Sequence, residues 1–225
     1  MFFYDSTMII LLPAIIISAL AQFKIKASFS KYSKVNSANG YTGAQVARML
    51  LDDGGLFDIP VEIVGGKLTD HYDPSKRVMR LSQEVYNGTT VAAIGVAAHE
   101  TGHAIQDKEN YAPLKIRNAI VPVVNFSSNA SWLLFLLGII LSVPSLVNIG
   151  IILFSGVVVF QLITLPVEFN ASSRALAILE SRSILYGDEI KGAKSVLSAA
   201  AMTYVSAALM AISQLIRLVL ISRDR

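Results

Sequence analysis

Long, uniformly apolar runs alternate along this chain with stretches of short-period patterning. The first run covers residues 8–23, MIILLPAIIISALAQF. Asp5 precedes it, and Lys24, Lys26, Lys31 and Lys34 follow it. A cleavable signal segment needs a basic start, and that start is missing here although Ala19-Leu20-Ala21 has the small residues of a cleavage site. The charges after the run predict an uncleaved span with its N-terminus outside and residue 24 onward in the cytoplasm. The run is short for a span, and Met1 to Tyr4 are expected to extend it at the interface.

Residues 24–117 read as a polar region with helix, hairpin, helix in order. Thr42 is placed to cap a helix whose apolar stripe includes Val46, Met49 and Leu50 and which Gly54-Gly55 ends. Residues 61–64 have strand character, residues 71–75 read as a turn, and residues 78–81 as the returning strand. After Asn87-Gly88, Thr89 or Thr90 can cap a longer helix running through Gln106.

Between Arg117 and Arg174 the single charged side chain is Glu168. Two spans fit that stretch, residues 130–147 and 149–165, as a membrane hairpin turning near Pro144-Ser145. Pro166 then suggests a new helix with Glu168 in its first turn. A fourth apolar helix over residues 196–216 is rich in Ala and Ser, which suits close packing in a bilayer. If it crosses, Arg217, Arg223 and Arg225 lie outside, against the charge rule. The predicted organisation is residues 1–23 as an N-terminal span, 24–117 as a cytoplasmic catalytic region, 118–167 as a hairpin, 168–195 as a further helix and 196–225 as the last span. This is a mainly α membrane protein with about four transmembrane helices and a small α+β domain, multi-pass in the cell (inner) membrane.

Composition agrees. Of 225 residues, 53% are hydrophobic and 16% charged, against roughly a quarter charged in soluble domains. The net charge of +3 does not indicate nucleic-acid binding, because the Lys and Arg residues are scattered singly near apolar runs, where they anchor topology. With no cysteine, disulfides, thiol nucleophiles and Cys-ligated metals are excluded. Any metal site must use His, Asp and Glu, and the histidines are His71, His99 and His103.

His99-Glu100-Thr101-Gly102-His103 sits on the predicted long helix. Residues four apart lie one turn along and ~40° round the axis, so both imidazoles can face one tetrahedral Zn2+. Glu100, on the adjoining face, can take a proton from the attacking water. A catalytic zinc takes three protein ligands. The candidates for the third are Glu168, a costly carboxylate beside a span, and His71. We place His71 on the substrate side instead, donating to the peptide carbonyl or oxyanion. Asp70 and Asp73 read as turn residues.

His71-Tyr72-Asp73-Pro74, Arg80-Leu81-Ser82, residues 97–106 and Leu165-Pro166-Val167-Glu168-Phe169 together resemble the YugP-type neutral zinc metallopeptidases of bacteria, over essentially the whole chain. More distantly the layout is similar to HtpX-type and prenyl-protein (CAAX) membrane proteases. The resemblance implies a zincin-like domain of gluzincin type with His99, His103 and Glu168 on zinc and Glu100 as base. It also implies a strand at residues 68–72 that pairs with an extended substrate. HtpX-type proteins carry an Asp where this chain has Ser172, so the usual carboxylate support for a ligand histidine is missing or comes from elsewhere, for example Asn170. The expected activity is zinc-dependent endoproteolysis of membrane proteins or peptides. The rivals are a zinc-binding membrane scaffold or chaperone without turnover, and a membrane hydrolase of a non-peptide bond.

Overall fold

The computed structural model describes residues 6–223. Residues 1–5 and 224–225 lie outside it, and with them the expectations for Met1 to Tyr4, Asp5 and Arg225. A 3-10 turn over Ser6–Leu11 leads into α1, Leu12–Tyr32. There follow α2 (Gly43–Asp53), β1 (Val61–Val64), β2 (His71–Asp73), β3 (Val78–Ser82), α3 (Gln83–Asn87) and α4 (Val91–Lys108). Three long helices complete the chain: α5 (Ala112–Ile140), α6 (Pro144–Ser181) and α7 (Asp188–Arg223). Among the described residues, Ser6–Tyr32, α5, α6 and α7 are four helices long and apolar enough to cross a membrane.

The chain divides into two compact units. The first comprises residues 6–22, 115–166 and 202–223. Its core joins Phe135 of α5, Val147, Phe154 and Val158 of α6, and Ala211 and Leu218 of α7. The α5–α6 turn falls before Pro144, which begins α6, slightly earlier than the hydropathy pattern suggests. Proline suits a first helical position because the N–H it lacks would find no intrahelical partner there. Ser222, near the end of α7, lines one cavity with Gly138, Ser142 and Pro144, so α7 runs on to the turn end of this unit.

The second unit comprises Phe23–Leu114 with Val167–Ala201 and contains all the candidate chemistry. Thr42 caps α2 as expected, and Gln45 reciprocates in a capping box. The sheet corrects the expected hairpin. Its order is β1-β3-β2, with β1 parallel to β3 and β2 antiparallel to it. The hairpin partner of β3 is therefore His71–Asp73, a strand where the sequence suggested a turn. β1 reaches the other side of β3 by a crossover. The pattern explains the arrangement, because β3 is buried along almost its whole length whereas β1 has exposed positions in its middle. A strand buried on both faces belongs in the centre.

α4 lies between two cores. Ala93, Ala97 and Ala104 pack with Tyr72, Met79 and Leu81 on the sheet side. Val91, Ile94 and Ala98 pack with Ala175, Leu179, Ala193 and Leu197 of the helices. The helix is thus packed against apolar residues on two sides, which gives the motif a rigid platform. α6 supplies a second correction. It does not restart at Pro166 but continues to Ser181. Proline is tolerated inside a long apolar helix, where breaking the chain would expose more unsatisfied backbone than the missing N–H does.

Candidate metal centre

Thr90 caps α4 by accepting from the Ala93 amide, so the helix starts where the sequence indicates. Two turns later His99 and His103 stand one above the other, ring centroids 4.7 Å apart and planes at 83°. Glu168 comes to them from α6. Its Oε2 lies 3.3 Å from His99 Nε2 and 3.6 Å from His103 Nε2. Among the described residues, these three form a group able to hold a metal ion, with ligand atoms all within 4.8 Å of one another. His71 is not in that group.

The donor set fits zinc. Ligand atoms ~2.0–2.2 Å from a tetrahedral ion stand about 3.3–3.6 Å from one another. The two nitrogen–oxygen separations match the edge lengths of such a tetrahedron. Two imidazoles and one carboxylate also leave a fourth position for water or substrate, as a catalytic site requires.

A glycine lets α6 come this near. A Cβ at Gly102 would lie 2.7 Å from the Ala171 carbonyl oxygen and 3.1 Å from Ala171 Cα. The obstruction is backbone, so α4 and α6 meet here only because position 102 has no side chain. Ala171 is one turn from Glu168, so the close approach lies beside the carboxylate.

The other nitrogens of both histidines are also engaged. His99 Nδ1 is 3.1 Å from Ser172 Oγ. His103 Nδ1 is 3.0 Å from Gln106 Oε1, and Gln106 Nε2 donates to the Val167 carbonyl and to Asn170 Oδ1. Asn170 thus bonds Gln106 rather than a histidine, and Ser172 itself supplies the contact to His99.

Glu100 is buried beside the cluster. Its Oε2 accepts the backbone N–H of Tyr72 at 3.1 Å, which joins it to β2, the edge strand. Burial holds its carboxyl above the usual carboxylate range, against the pull of His99 and His103. Tyr72 is pinned by its own hydroxyl, which donates to Asp107 Oδ2 at 2.9 Å. Burial and the Asp107 carboxylate push that phenol far up, so it remains a donor. His71, one residue earlier on β2, is exposed, with Nδ1 2.7 Å from the Thr69 carbonyl. Asp73 shapes the following turn by accepting from the amides of Ser75 and Lys76. Asp70 instead ties β2 to the end of β3 through the amide and hydroxyl of Ser82.

Gln106, Tyr72 and Gly102 were not anticipated from the sequence. Gln106 had a signal, since it lies one turn after His103 on a buried helix. Tyr72 had none, because its bond to Glu100 is made by the backbone.

Fold and site together define a helical, membrane-associated chain with a candidate centre of two histidines and one glutamate. The chain belongs to the family described as "Putative neutral zinc metallopeptidase", whose sequence model matches residues 7–223. It is 55% identical over 210 residues, 93% of each chain, to a Bacillus subtilis (strain 168) protein described as "Putative membrane protease YugP". No solved structure matches it.

Proposed function

We propose that the protein is a membrane-embedded zinc endopeptidase with a zincin-like site, in which His99, His103 and Glu168 hold the metal and Glu100 is the general base. The observation that carries this reading is the convergence of both Nε2 atoms on Glu168 Oε2 at tetrahedral-edge distances, with a buried carboxylate alongside. Zinc bound there would supply Lewis acidity toward a water and a peptide carbonyl.

The chain's own groups do the rest. Glu100 takes a proton from the attacking water as the new C–O bond forms, then returns it to the departing amine as the C–N bond breaks. Its Oε2 is engaged by the Tyr72 amide, which leaves Oε1 for the proton. His71 is the proposed contact to the oxyanion. Its Nδ1 faces a carbonyl and so carries the hydrogen, which means that Nε2 donates only from the imidazolium form. The edge strand beside His71 is where an extended peptide would lie. The proposed substrates are membrane proteins or peptides released from them, and the proposed site faces the cytoplasm.

Zinc content of the purified protein, together with cleavage of casein, tests the reading. We expect stoichiometric zinc and cleavage that Glu100→Gln abolishes while zinc stays. Zinc without cleavage of any unfolded protein would favour the scaffold alternative. Orientation is tested by single cysteines at Ser75 and Ser145, both exposed, in this cysteine-free chain. An impermeant thiol reagent on intact cells should label position 145 and spare 75, and the reverse result would invert the topology.

A further inference from the structure

Gln106 is fully buried, and its amide is oriented by atoms that leave no choice. Its Nε2 donates to the Val167 carbonyl at 2.9 Å, and a backbone carbonyl can only accept. The second Nε2 hydrogen goes to Asn170 Oδ1, also at 2.9 Å. That oxygen is itself fixed as an acceptor, because Arg174 Nε donates to it at 2.7 Å. Arg174 is held in turn by Glu109 at 2.7 Å. The Gln106 amide cannot flip without setting its carbonyl against two acceptors, so Oε1 must face His103 Nδ1.

A carbonyl oxygen has no hydrogen to give, so the hydrogen of this contact is on His103 Nδ1. A neutral imidazole has one N–H, which puts the lone pair on Nε2, the atom turned toward Glu168. His99 differs. Its Nδ1 meets the Ser172 hydroxyl, which can donate or accept, so neither tautomer is imposed.

We propose that Gln106, braced by Val167 and Asn170, is a positioning residue that presets His103 as the Nδ1–H tautomer with Nε2 free to ligate a metal. The proposal rests on the zinc-site reading above. It makes His103 the prepared ligand of the pair and His99 the adaptable one.

The test is zinc affinity, measured by competition with a chromophoric chelator on the full-length protein in detergent, with the melting of the metal-free protein followed in parallel. Wild-type protein that binds no zinc would defeat the metal-site reading itself, so the two failures are separable. Given binding, Gln106→Leu removes the acceptor and should weaken zinc about 10–100-fold. The Co2+ absorption spectrum should change with it, and metal-free melting should stay close to wild type. Asn170→Ala leaves the acceptor but loosens its brace, and should weaken zinc a few-fold. This variant decides the matter should Gln106→Leu fail to fold. Wild-type zinc affinity in Gln106→Leu or in Asn170→Ala would overturn the proposal.

Discussion

Helices α4 and α6 both contribute to the candidate centre, but their sequences prepare them for it in opposite ways. α4 carries two of the proposed ligands, the proposed base and Gln106 within two turns, so its geometry follows from helical periodicity. α6 carries one proposed ligand, Glu168, in a helix whose composition is that of a membrane span, with Val167, Asn170 and Ser172 beside it as supporting contacts. Nothing local to α6 fixes where that carboxylate points. Its position depends on how α6 packs on α4, through the close approach of Ala171 to Gly102 and the bonds of Val167, Asn170 and Ser172. Chemistry concentrated on one element is robust to shifts between elements. Chemistry divided between two elements is only as good as their packing.

The largest expected effect comes from removing the group on α6. Glu168→Ala should strip zinc from the purified protein and abolish turnover, as His103→Ala or a chelator should. The remaining pair of histidines leaves two ligands where a catalytic zinc needs three. His71→Ala is the contrast. It should keep near wild-type zinc and lower turnover only, by about 100–1,000-fold if it supplies one oxyanion contact. Zinc content by atomic emission checks both. If His71→Ala loses zinc and Glu168→Ala retains it, the centre is a three-histidine one.

Next comes the base. Glu100→Gln preserves the acceptor for the Tyr72 amide but cannot take a proton. Turnover should fall by at least ~100-fold with zinc unchanged. A fully active variant would remove Glu100 from the mechanism.

Gly102 tests the packing itself. Gly102→Ala places a methyl group 2.7 Å from a backbone oxygen of α6, so the helices must separate by a few tenths of an ångström. An overpacked core of this kind costs about 1–3 kcal/mol. We expect weakened zinc binding out of proportion to the loss of thermal stability, because Glu168 moves away with Ala171. Gly102→Val should be worse on both counts. Unchanged zinc affinity in Gly102→Ala would mean that α6 is positioned by other contacts.

The same contrast explains what the sequence could reveal. The α4 motif, its Thr90 cap, the capping box of α2 and the four apolar helices are short-range or compositional features, and each is readable from the residues themselves. The strand order was not, because β1 and β2 both have the short, mixed patterning that allows either to be the partner of β3. Only the burial of β3 on both faces hints that it is central. Nor was the continuity of α6 through Pro166. A proline in water ends a helix, but the preceding apolar run changes the environment in which that rule applies. Glu168 stands out in the sequence as a lone charge, yet its partners lie on α4, more than sixty positions away in the chain, and no local pattern brings them together.

The smallest effect sharpens the comparison from the side of α4. Thr90 accepts the Ala93 amide and so satisfies one of the unpaired donors at the helix start. Thr90→Ala should cost about 1 kcal/mol of stability. The two histidines lie more than two turns further on, in a helix held from both sides by Ala93, Ala97, Val91 and Ile94. Fraying of the first turn should therefore stop before it reaches them. The expected result is a slightly lower melting temperature in detergent, with zinc affinity and turnover at wild-type levels. If zinc binding instead weakens as much as in Gly102→Ala, the ligands of α4 depend on the whole helix, and the contrast between the two helices collapses.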